Sequence, residues 1–100
     1  MNYVQRACEI IDTEIEGLER LKARLDGSFR EAVDLILERV AAGGKVVITG
    51  VGKNTHIGRK IAATLTSVGT PAVPMHPIEA MHGDFGLLRE PDVVMAMSYS

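Results

Sequence analysis

A chain of 100 residues is one domain at most, near the lower end of what buries a self-sufficient core. Its 46% hydrophobic and 24% charged content is that of an ordinary globular protein, and a net charge of -2 with a pI near 5.9 excludes the clustered basic surface that nucleic acid needs. A single cysteine excludes an internal disulfide, no apolar run reaches the length of a membrane span, and the acidic N-terminus does not read as a signal peptide, so a reducing, cytoplasmic setting is expected.

Residues 3–25 carry Val4, Ala7, Cys8, Ile11, Ile15, Leu18, Leu21 and Leu25 at three-four spacing, with Glu9, Asp12, Glu14, Glu16 and Glu19 mostly between them. This predicts an amphipathic helix with Cys8 as a buried, inert thiol. Asp26-Gly27 supplies the stop. Ser28 with Glu31 three residues on is a capping box that starts a second helix. Phe29, Val33, Ile36, Leu37 and Val40 form its expected buried stripe, and Gly43-Gly44 ends it.

Residues 45–61, KVVITGVGKNTHIGRKI, are the stretch around which the rest is organised. The β-branched run Val46-Val47-Ile48 predicts a strand, Gly50-Val51-Gly52 a tight turn, and Ile57, Ile61 and Leu65 a helix beginning near Lys53-Asn54-Thr55. Strand, glycine turn and helix start is an anion-binding arrangement, because free N–H groups and the positive end of the helix face the end of the strand. Two common labels fail on it. A dinucleotide fingerprint needs a third Gly or Ala where Thr55 stands, and a P-loop needs a glycine at Val47 and Ser or Thr at Asn54. A bare turn accounts for the glycines but not for Lys53, a cation set against the helix dipole, which points to an anionic partner.

Gly69 and Pro71 then close the helix, and Ala72-Val73-Pro74-Met75 is a short extended segment. Pro74 cannot donate to a ladder, so this strand should lie at a sheet edge. Residues 76–84, HPIEAMHGD, predict a single helical turn started by Pro77 and ended by Gly83. Its His76, Glu79, His82 and Asp84 could act as metal ligands or as an acid–base set. A chance cluster of polar loop residues is favoured over metal, and His82 is favoured as a catalytic or substrate contact because imidazole suits proton transfer near neutral pH. Residues 89–92 form a turn. Val93-Val94-Met95-Ala96-Met97 predicts a central strand buried on both faces, delivering Ser98, Tyr99 and Ser100 at its end. Met75, Met81, Met95 and Met97 read as core filler. No repeat, linker or low-complexity tract interrupts the pattern.

The alternation is therefore α/β: two helices, then a parallel sheet with strand order 2-1-3. The first and third strands would flank a topological switch point, where open α/β sheets bind ligands, with the 50–55 turn on one side and Ser98 to Ser100 on the other.

Residues 44–88 together with PDVVMAMSYS resemble the sugar isomerase (SIS) domain, and more narrowly its arabinose-5-phosphate isomerase (KpsF/GutQ/KdsD-like) branch. Three segments carry the likeness: Gly-x-Gly-Lys before His-Ile-Gly-Arg-Lys, His-Pro-x-Glu-Ala-x-His-Gly-Asp, and the Ser-x-Ser strand end. The resemblance implies a flavodoxin-like three-layer domain, with residues 1–43 as a helical pair packing on it and 44–100 as its first half. It implies phosphosugar binding by Gly50, Gly52, Lys53, Asn54, Thr55, Ser98 and Ser100, with Lys53 and His82 at positions tied to catalysis and His76, Glu79 and Asp84 as secondary contacts. The implied reaction interconverts D-arabinose 5-phosphate and D-ribulose 5-phosphate, in homo-oligomers that share active sites, with neither a redox cofactor nor an obligatory metal. A non-catalytic module that senses a phosphosugar through its oligomer is the alternative. Asn54-Thr55 replaces the family's usual Ser-Gly, and Tyr99 a frequent Asn. The expected Glu after the serine loop and the two further strands do not follow, which implies a fragment of a longer protein.

Overall fold

The computed structural model describes residues 2–98. Close contacts divide the chain into one unit ending at Ala32 and another beginning at Val33. In the first unit, helix α1 runs Tyr3–Arg24, capped by the Asn2 side chain accepting from the Gln5 N–H. Its apolar stripe is present as the spacing predicts, but α1 buries no residue, and Cys8 is exposed rather than buried. A single helix has only one apolar face, and burial of that face requires a neighbour that this unit does not supply.

Helix α2, Gly27–Ala41, starts one residue earlier than the capping box places it. Asp26 is the capping side chain: its Oδ1 accepts from the Ser28 N–H at 2.9 Å and the Ser28 Oγ at 2.6 Å. Asp26 thus opens α2 where the sequence predicts a stop for α1. Both of these bonds hold its carboxyl below the ordinary carboxylate range. Within the second unit, Ile36 and Val40 of α2 pack against the core, while Val33 and Leu37 of the expected stripe are exposed; Phe29, in the first unit, is exposed as well.

The second unit holds a three-stranded parallel sheet of β1 (Val46–Gly50), β2 (Ala72–Pro74) and β3 (Val93–Met97) in the order β2-β1-β3. β1 pairs along both edges, Val46 facing Ala72 on one side and Val93 on the other. Strand alternation sends its side chains to two cores. Val46 and Ile48 pack with Ala62 of α3 (Lys53–Ser67), whereas Val47 packs with Met75 and with Ala80 of α4 (Pro77–Met81). Val46, Val47 and Ile48 are at most 1% exposed, so each contributes about 1.5–3 kcal/mol by leaving water.

Pro74 sits on an edge strand, as its missing N–H requires. Among the described residues the continuous apolar run 93–97 forms an edge strand of the three-stranded sheet rather than the expected central strand. β3 alternates between half-buried and exposed positions, with Val94 52% exposed, and β1 holds the doubly covered place. Among the described residues β1 is the strand with a neighbour on each side. Met75 is buried and Met95 and Met97 join the core, but Met81 is 80% exposed. A short 3-10 turn, Asp84–Leu87, follows α4; the sequence patterns do not predict it.

Candidate functional site

The carboxyl end of β1 runs directly into α3 through Val51 and Gly52. Gly52 takes the N-cap position with φ 63° and ψ -133°, a backbone that side-chain-bearing residues rarely adopt. Because glycine has no side chain, no group from the cap covers the first turn. The Asn54 and Thr55 N–H groups bond back to the carbonyls of Val51 and Gly52, and the Lys53 N–H, at the first helical position, has no intrahelical acceptor. Lys53 itself is exposed.

Two side chains brace this turn. Thr55 Oγ1 donates to the Gly50 carbonyl at 3.2 Å, and Asn54 Nδ2 donates to the Met97 carbonyl at 3.4 Å. The second bond ties the turn to the end of β3, one residue before the exposed Ser98. The 50–55 turn and the β3 end therefore meet at the switch point. Ser100 and Tyr99 lie outside the described residues.

The concave space opens on the other side of β1. A cleft of about 200 Å³ is lined by Ile48 and Gly50 of β1, by Asn54, Thr55, Gly58 and Arg59 of α3, and by Pro74, Met75, His76, Glu79 and Asp84. The last five come from the end of β2, α4 and the 3-10 turn, which together wall the β2 side. The structure thus brings Gly50, Asn54, Thr55, His76, Glu79 and Asp84 to one place, while Gly52, Lys53, His82 and Ser98 lie outside the lining. His82 is the exposed C-cap of α4, its backbone N–H bonded to Ile78 and Glu79 carbonyls.

Arg59 is the lining residue that the sequence reading does not single out. It stands four positions after Thr55 on the same face of α3, and that spacing was the available signal. His76 is oriented by its neighbour: Nδ1 accepts from the Ile78 N–H at 3.1 Å, so a neutral ring carries its proton on Nε2, an assignment made from this bond. The cleft therefore offers a guanidinium, a ring N–H, two carboxylates and the Asn54 and Thr55 polar groups. Among the described residues no three His, Cys, Asp or Glu side chains gather as metal ligands, and no helix is long and apolar enough to cross a membrane.

The SIS domain family model matches residues 40–100, which include the sheet, α3 and every residue of the cleft. The chain belongs to the SIS domain family. Its SIS segment and the helices before it are 48% identical over 99 residues to the arabinose 5-phosphate isomerase KdsD of Francisella tularensis, covering 99% of this chain and 30% of that protein. The arabinose 5-phosphate isomerase GutQ of Escherichia coli is 49% identical over 87 residues, covering 87% of this chain and 26% of GutQ. A structure from Escherichia coli, solved in complex with arabinose 5-phosphate, superposes with a TM-score of 0.85 at 35% identity, over 100% of this chain and 53% of that one. The chain thus spans less than a third of the length of these curated relatives.

Proposed function

We propose that the intact protein is an aldose–ketose isomerase interconverting arabinose 5-phosphate and ribulose 5-phosphate, and that this chain supplies one wall of its phosphosugar site. The observation that carries this reading is the uncovered start of α3, set beside a cleft of mixed donors and acceptors in a chain 43–49% identical to arabinose 5-phosphate isomerases. A phosphate suits the α3 start, where the Lys53 backbone N–H and the helix dipole favour an anion. Gly50, Gly52, Asn54 and Thr55 shape that turn, and Ser98 stands at the end of the neighbouring strand.

Isomerisation moves a proton between neighbouring carbons while the carbonyl oxygen gains negative charge. His82 is our candidate for the proton transfer and Lys53 for stabilising the enediolate. Both are exposed and neither has a side-chain partner among the described residues, so both are available to a ligand or to a neighbouring subunit. Homo-oligomers with shared sites would accommodate this placement.

The test is turnover of arabinose 5-phosphate by the full-length protein and by its Lys53→Ala and His82→Ala variants. Wild-type turnover, reduced at least about a hundredfold in each folded variant, is expected for groups acting in the transition state. Turnover unchanged in both variants would remove their roles. Saturable phosphosugar binding without turnover by the wild type would replace the enzyme with a sensor.

A further inference from the structure

The two side chains that follow Lys53 give their polar hydrogens to backbone at the strand ends. Thr55 Oγ1 donates to the Gly50 carbonyl and Asn54 Nδ2 to the Met97 carbonyl. The Asn54 amide is assigned from the carbonyl it faces, since only its NH2 group can donate. Both residues are half-buried, whereas Lys53 before them is exposed.

Close packing makes the Asn54 reach possible. A Cβ on Gly50 would stand 2.8 Å from the Asn54 Cβ and 3.1 Å from the Met97 carbonyl oxygen, so Asn54 lies over a strand end with no room for a side chain. Further along α3, a Cβ on Gly58 would meet the Ile48 and Met97 side chains at 3.1 and 3.2 Å. These two glycines seat α3 tightly on β1 and β3. The bonding pair is particular to this chain. A glycine at position 55 has no hydroxyl, and a serine at 54 ends one bond short of the amide nitrogen. The Ser-Gly usual in the family therefore lacks the first bond and shortens the reach of the second. Among the described residues only glycines take a positive φ, so Thr55 fits its place without strain and a glycine there would add only freedom.

We propose that Asn54 and Thr55 are positioning residues, which hold the α3 start and the β3 end in one arrangement before a ligand arrives and do not themselves bind its phosphate. This rests on the phosphosugar reading above and changes the role of both residues from contact to brace. A turn fixed in advance needs little ordering when the anion binds, so the free Lys53 N–H meets it at lower entropic cost. Asn54 bonds one residue before Ser98, so the same brace ties the turn to the neighbouring strand end. Its effect falls on affinity more than on the chemical step.

The experiment uses the full-length protein, with inorganic phosphate as the probe in calorimetry and arabinose 5-phosphate in turnover. Hydrogen exchange without ligand follows the Asn54 and Thr55 amides, which bond to the Val51 and Gly52 carbonyls. Thr55→Val removes the hydroxyl and keeps the shape; it is expected to speed that exchange and weaken phosphate about three- to tenfold. Asn54→Ser should do the same. Each should raise KM more than it lowers kcat, and Thr55→Ser, which keeps the hydroxyl, should restore both exchange and affinity. Thermal melts check folding, and Thr55→Ala replaces Thr55→Val with the same expectation if the latter unfolds. Unchanged exchange in the folded variants overturns the brace and makes any lost affinity that of a direct contact. Faster exchange with unchanged phosphate affinity overturns it as well, because the bonds are then structural only. A wild type that binds phosphate without turnover overturns the isomerase reading, while phosphate affinity and exchange still decide the brace. A wild type that binds neither phosphate nor phosphosugar overturns both.

Discussion

The two ends of the parallel sheet are built on opposite terms. At the amino end, Lys45 and Asp92 close the space between β1 and β3. Asp92 Oδ2 accepts from the Lys45 ammonium at 2.6 Å and from the Arg89 N–H at 2.8 Å, and Oδ1 accepts from the Lys45 backbone N–H at 3.0 Å. The Lys45 ammonium donates as well to the Leu87 carbonyl, and the Asp92 side chain is 5% exposed. At the carboxyl end, Arg59, Glu79 and Asp84 meet in a cleft with no partner for any of their side chains among the described residues. At one end the charges hold strands together, and at the other three exposed charged side chains line a cleft without bonding one another.

The sharpest way to break the comparison is at Gly44, where the amino end is packed most tightly. A Cβ there would stand 2.1 Å from the Pro91 carbonyl oxygen and 2.9 Å from that of Arg39, both backbone atoms that cannot turn aside. Gly44→Ala is expected to cost about 3 kcal/mol, read by urea unfolding of the full-length protein, because backbone must shift to admit the methyl group.

Asp92→Asn comes next. The Lys45 side-chain bond, then the backbone bonds from Lys45 and Arg89, lower the Asp92 carboxyl from 3.8 to about 2. A carboxyl lowered in the folded state contributes stability that is present above 3.8 and lost as pH falls toward about 2. The wild-type melting temperature should therefore drop across that window. In Asp92→Asn it should start lower at neutral pH and lose this part of the slope. Parallel pH profiles for the two proteins would mean that the ion pair contributes nothing to folding.

A smaller effect is expected at Gly52, where the constraint is backbone conformation instead of packing. Its Cβ would meet no atom within 4 Å, so Gly52→Ala isolates the strain of φ 63° and ψ -133°. The expected cost is about 1–2 kcal/mol in the same unfolding assay, with weaker binding of inorganic phosphate as the turn relaxes. The smallest effect belongs to the cleft. Glu79→Gln and Arg59→Gln should stay within about 0.5 kcal/mol of wild type in stability, since they break no bond, while changing ligand affinity. A large loss of stability in either would show that the cleft is structural after all.

Much of the fold was written in local patterns. Val46-Val47-Ile48 between paired glycines, the 3.6-residue period of α3, and Pro74 excluding β2 from the sheet interior together determine the order β2-β1-β3. The turn at residues 50–55 was legible for the same reason, because a strand, a glycine turn and a helix start are consecutive in sequence. Burial was less legible. The apolar stripe of α1 and the run 93–97 predict buried faces, and whether a face is covered depends on neighbours that periodicity does not name. Cys8 and Met81 are exposed for that reason.

The cleft shows the division most clearly. His76, Glu79 and Asp84 stood out in the sequence because they crowd into nine residues, and Gly50, Asn54 and Thr55 because they form a helix start. That these two groups face one another, that Arg59 joins them from the second turn of α3, and that Lys53 and His82 lie outside the lining follow only once β2 lies beside β1. Sequence determined the elements and the chemistry each carries, since those depend on near neighbours along the chain. The parallel pairing of strands 26 residues apart, Val46 with Ala72, decided which of those groups share a space.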